Sequence, residues 1–117
     1  MVVWLTDNLG TAPCREDLEG DIIKVDLTDL VEGRGNNTDI LATRILESTR
    51  ALRAGRKVVV CCDRGIVRSN TFAIAILMSS GLAYREAVRL VSRKVGAQAI
   101  NIDLLGDLVG AVSLLRT

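Results

Sequence analysis

The chain has 117 residues, of which 49% are hydrophobic and 25% charged, and it holds a single proline. Fifteen basic against fourteen acidic residues leave a net charge of +1, so any preference for phosphate has to come from local placement rather than bulk charge. This profile fits one folded domain, residues 1–117, and excludes a disordered or fibrous chain. The longest apolar run, Phe72 to Met78, falls far short of a membrane span. Met1 to Gly10 lacks the basic start and apolar stretch of a signal peptide. A cytoplasmic location is expected, with neither a membrane nor a nucleic acid as partner.

There is no histidine, which removes every mechanism with a His base. Acid–base work therefore falls to Asp, Glu, Cys, Lys or the single Tyr84. Three cysteines, two adjacent and one remote at Cys14, make neither a disulfide framework nor a zinc spacing. No metal and no cofactor are expected, and Cys14 reads as inert.

Along the chain, Val2 to Leu5 is a short β-prone run closed by the turn-like "TDNLG". "DIIKVDL" alternates, with Ile23, Val25 and Leu27 on one face, and predicts a strand. "EGRGNN", Glu32 to Asn37, is a loop with two glycines. From Thr38 a helical period begins, with Leu41, Ile45, Thr49 and Leu52 on one face; Asn37 or Thr38 caps its start and Gly55 stands at its stop. "RKVVVC" predicts a strand buried on both faces. Ser69 to Ser80 is apolar almost all round, as in a central helix ended by Gly81. A third helix, about Ala83 to Val95, turns Ala87, Val88, Val91 and Val95 inward and Arg85, Arg89 and Arg93 outward. A last helix spans about Ile102 to Leu115, with Asn101 either its N-cap or a support for the site. The order predicts an α/β fold: a small, mostly parallel central sheet flanked by helices.

The chemistry gathers at the junction of the buried strand and the apolar helix. Cys62-Asp63-Arg64-Gly65-Ile66-Val67-Arg68-Ser69 leaves the strand and opens the helix. Free N–H groups and the dipole at a helix start make an anion site. Gly65 lets the loop curl, and Arg68 supplies a planar fork for two phosphate oxygens. The same field favours a thiolate at Cys62. One segment thus offers a nucleophile, a cradle of N–H groups and a clamp.

These residues resemble the signature of the protein-tyrosine and dual-specificity phosphatase superfamily, His-Cys-x-x-Gly-x-x-Arg-Ser/Thr, matched here by Cys62, Gly65, Arg68 and Ser69. "WLTDNLG", "VDLTD" and "GLAYREAVRLVSRKVGAQAIN" are similar to further stretches of dual-specificity domains. The resemblance implies such a fold with a reduced N-terminal half. It implies that Cys62 attacks phosphorus, and that Arg68 and the N–H groups of Asp63, Arg64, Gly65, Ile66, Val67 and Arg68 hold the oxygens. It further implies that Ser69 stabilises the departing sulfur. By the alternation Val25, Leu27 and then Asp, the general acid maps to Asp29, with Asp26 the competitor. The substrate class it implies is a phosphorylated protein or a small phosphate monoester.

Three features depart from that pattern. Cys61 stands in place of the histidine, and Val67 occupies a position that is often small or polar. Leu9 to Ile22 is too short for the usual strand and helix. A phosphate-binding module with weak catalysis, or a thiol-based redox or sulfur-transfer protein, are the rival readings.

Overall fold

The structure is a computed structural model that describes residues 1–30, 35–63 and 66–116. Four strands form one mixed sheet in the order β1-β2-β4-β3: β1 Val3–Trp4, β2 Leu9–Pro13, β3 Ile22–Asp26 and β4 Lys57–Cys62. β2 and β3 both run parallel to the central β4, and β1 pairs antiparallel with β2. Among the described residues there are four α-helices, α1 Thr38–Arg53, α2 Val67–Ser79, α3 Tyr84–Val95 and α4 Ile102–Leu115, and a short 3₁₀ helix at Ala97–Ala99.

Two connections across the sheet run in opposite senses. β2 reaches β3 by stepping over β4, whereas β3 returns to β4 through α1. Right-handed crossovers therefore put the two connections on opposite faces. The α1 connection lies on the face where Val58, Val60 and Cys62 join the core of Leu41, Ile45, Phe72, Leu104 and Leu108. The other, residues 14–21, crosses the far face, toward which Val59 and Cys61 project.

The alternation in β3 is as expected: Ile23 and Val25 pack against the core and Leu27 is buried. α1 buries Leu41, Ala42, Ile45, Ser48 and Thr49, and the Asn37 side chain accepts from the N–H groups of Asp39 and Ile40. Gly55 and Gly81, at φ 80° and 120°, turn the chain just beyond α1 and α2, where a side chain would strain the left-handed backbone. Of the expected loop from Glu32 to Asn37, residues 32–34 lie outside the described residues.

Two expectations need correction. Leu9–Pro13 is a strand, although Gly10 and Pro13 interrupt its pattern. Only the helix after it is replaced, by the crossing segment 14–21. Gly10 suits a close approach there: a Cβ would lie 3.0 Å from Trp4 Cε3 and 3.1 Å from the Val3 carbonyl oxygen, so these neighbours would have to give way. α2 begins at Val67 rather than Ser69.

Asn101 caps α4, its side chain accepting from Leu104 N at 3.0 Å. Asn101→Ala should lower stability by about 1 kcal/mol. A urea midpoint that falls at unchanged slope checks this.

Candidate active site

Strand alternation points Cys62 toward the helices and Cys61 away from them. Cys62 is fully buried, and Asp63 after it is exposed. Arg64 and Gly65, expected in the phosphate cradle, lie outside the described residues. Ile66 then caps α2 in the left-handed region, at φ 52°, with no side-chain bond to the first turn. A β-branched residue there is strained and persists only where its surroundings dictate it. Among the described residues the first turn of α2 therefore starts without a side-chain cap, so its leading N–H groups have no partner inside the helix.

Arg68 stands in that turn. Its Nη1 donates to the carbonyl of Leu30 at 2.7 Å, and more weakly to those of Leu27 and Thr28 at 3.4 and 3.5 Å. The guanidinium thus spans the loop that follows β3. Ser69 is fully buried, and its Oγ has no hydrogen-bond partner among the described residues. Next to it Asn70 accepts from Thr11 Oγ1 at 2.9 Å and donates to Ala99 O at 3.3 Å. Thr71 bonds Val67 O and receives Asn101 N. This buried polar run ties the start of α2 to β2 and to the turn before α4.

A cavity of about 310 Å³ opens beside Cys62, lined by Pro13, Cys14, Arg15, Cys62 and Asp63. Arg15 lines this cavity too, although nothing local in the sequence marks it. No aromatic ring lines this cavity: Trp4 lies under Lys57 Nζ, 5.1 Å from the ring centroid, and Tyr84 is exposed on α3.

The two candidate acids are placed differently. Asp29 forms a two-pronged ion pair with Arg44 of α1, at 2.7 and 2.5 Å. That guanidinium holds its carboxyl below the usual range. Asp26 stands beside Cys61 in the β3–β4 register, so it shares the far face and not that of Cys62. It accepts from Thr28 N and Oγ1 at 2.8 and 2.7 Å, which lowers its pKa.

Cys14 also departs from expectation. Pairing of β2 with β4 brings it to Cys61 and Asp26, with its Sγ 3.5 Å from Asp26 Oδ1. Burial, then the Cys61 contact, pushes the Cys14 thiol up, and burial raises Cys61 likewise. Cys14 is neither remote nor without partners.

No protein-family model matches the chain, and no curated protein does. Solved structures do. The human tyrosine phosphatase-like serine/threonine/tyrosine-interacting protein superposes with a TM-score of 0.75 at 17% identity, over 99% of this chain and 98% of its own. Tk-PTP in the active form gives 0.62 at 16% identity, over 98% and 95%. A glycine-to-alanine mutant form of Tk-PTP gives 0.67 at 21%, over 98% and 96%. The fold is that of the tyrosine phosphatases. In this phosphatase fold Cys62, Ile66, Val67, Arg68 and Ser69 lie together where the central strand meets α2. Asp29 sits on the loop that Arg68 spans, with its carboxylate turned to Arg44.

Proposed function

We propose that the chain is a cysteine-dependent phosphatase that hydrolyses phosphate monoesters. The observation that carries this reading is Cys62 at the end of the central strand, on the core face of the sheet and shortly before α2 in the chain, whose first turn holds Arg68. A dianionic phosphoryl group suits that cradle, since N–H groups, dipole and guanidinium all favour its oxygens.

In the first step Cys62 Sγ, as thiolate, bonds to phosphorus while the P–O bond to the leaving group breaks. Asp29 gives the departing oxygen its proton. In the second step a water attacks the phosphocysteine, Asp29 takes that water's proton, and the S–P bond breaks to return the thiolate. The Ser69 hydroxyl, without a partner among the described residues, donates to that sulfur and eases its departure. Arg68 exchanges backbone carbonyls for two phosphate oxygens. The substrate is a phosphorylated protein or a small monoester. A reducing, cytoplasmic setting suits the three free thiols. Among the described residues no helix is long and apolar enough to cross a membrane.

A second reading is phosphate binding without turnover. It is favoured by the engagement of Arg68 with carbonyls and of Asp29 with Arg44, and one fold neighbour is itself named phosphatase-like. Release of inorganic phosphate from p-nitrophenyl phosphate in the presence of a chelator separates the two. Steady turnover supports hydrolysis, and phosphate binding with no release supports the second reading. Thiosulfate-dependent persulfide formation would instead favour sulfur transfer.

Arg44 gives a sharper check. A general acid must be protonated in the free enzyme, so its pKa sets the basic limb of kcat/KM. Arg44 depresses the Asp29 pKa. Arg44→Ala should therefore move that limb to higher pH. A limb that stays in place removes Asp29 from the role.

A further inference from the structure

The far face of the sheet carries a cluster that the phosphatase reading does not use. Ala12, Cys61 and Asp26 lie in one row across β2, β4 and β3. Cys14, two residues beyond Ala12, swings onto the same face. One ligand atom from each of Cys14, Asp26 and Cys61 lies within 4.8 Å of the other two. The positions are fixed by backbone as well as side chain. Cys14 N donates to Cys62 O at 3.1 Å, and Leu27 N to Cys61 O at 2.8 Å.

We propose that Cys14, Asp26 and Cys61 form a binding site for a zinc-class divalent cation, open to solvent at its fourth position. A tetrahedral zinc with Zn–S bonds of about 2.3 Å sets its ligand atoms about 3.5–3.8 Å apart. The Cys14 Sγ to Asp26 Oδ1 distance of 3.5 Å already matches this. Two sulfurs and one carboxylate suit zinc and its softer neighbours, and not magnesium or calcium. Charge is also arranged for it. Two thiolates and a carboxylate around a divalent ion leave one negative charge, and Lys24 stands alongside, its Nζ donating to Cys14 O at 2.8 Å. Cys61 is buried, whereas Cys14 is half-buried and Asp26 exposed. An ion therefore has a path in, and a water completes its coordination.

The ligands come from the ends of three adjacent strands, so the ion would clip β2, β4 and β3 together at the edge where the Cys62 loop departs. A disulfide between Cys14 and Cys61 is the competing use of these thiols; it would use two corners of the cluster and leave Asp26 with its Thr28 bonds alone.

Titration of the reduced, metal-free protein with Co2+ reads the site directly. A thiolate-to-cobalt charge-transfer band with tetrahedral d–d intensity, saturating at one ion per chain and abolished by Zn2+, is the expected result. Cys14→Ser, at a half-buried position, should keep the far-UV circular dichroism and weaken Zn2+ binding on the order of tenfold or more. Asp26→Asn should weaken it too, and Cys62→Ser should retain the band. The proposal is overturned if the reduced native protein gives no band, or if Cys14→Ser weakens binding less than tenfold. A band lost in Cys62→Ser but kept in Cys14→Ser overturns it as well. None of these readouts depends on phosphatase activity.

Discussion

Cys62→Ser should abolish turnover, by on the order of 10⁵-fold or more, as expected for loss of a covalent nucleophile. Binding of inorganic phosphate should survive. The reason lies in what the proposed cradle would draw on among the described residues: the start of α2 and the Arg68 guanidinium, neither of which is the thiol. The replacement also removes little volume from a fully buried position, so the strand end stays packed. Kinetics on p-nitrophenyl phosphate beside calorimetry with phosphate test both halves. Loss of binding together with turnover would mean that the sulfur builds the site rather than reacting in it. If Cys61→Ser, not Cys62→Ser, removes turnover, the nucleophile is the cysteine on the far face.

The second large effect belongs to the proton. Asp29→Asn should cost about 10²–10⁴-fold on alkyl or tyrosyl phosphates, whose oxygen must be protonated as the bond breaks. On an activated nitrophenyl ester the cost should be small. Asp26→Asn should show no such dependence on the leaving group, since Asp26 occupies the Cys61 row and is held by Thr28. The comparison is a set of kcat/KM values plotted against leaving-group pKa for the two variants. A steep line for Asp26→Asn and a flat one for Asp29→Asn would exchange their roles. Two flat lines would send the search to Asp39 in the first turn of α1, where it stands as the acidic residue.

Much of this arrangement is legible in the residues. The period of two in "DIIKVDL", the β-branched run into Cys62 and the all-apolar α2 each have one physical solution, so β3, β4 and α2 were readable. The helix ends at Asn37, Gly55, Gly81 and Asn101 follow from capping chemistry that acts within a few positions. β2 was not readable, because Gly10, Thr11 and Pro13 break the alternation for reasons supplied by Trp4 above and β4 beside it. The meeting of Cys14 with Cys61 depends on parallel pairing between segments almost fifty positions apart, which no local pattern encodes. Arg44 reaches Asp29 from the next element for the same reason. At Ile66 the local rule fails outright: a β-branched residue takes a left-handed conformation at the mouth of the site. Such departures gather where a loop has a task beyond packing.

Every residue of α2 from Ser69 to Met78 is buried, and the helix is enclosed by α1, α3, α4, β2 and β4. Its inner amides cannot meet solvent by fraying, so their deuterium exchange proceeds only when the whole chain opens. An oxyanion held at the first turn binds the closed state alone. It therefore slows exchange along the entire helix by one common factor, set by its concentration over its dissociation constant. The far end of α2, several turns from any contact with phosphate, thus serves as a remote gauge of occupancy at Arg68.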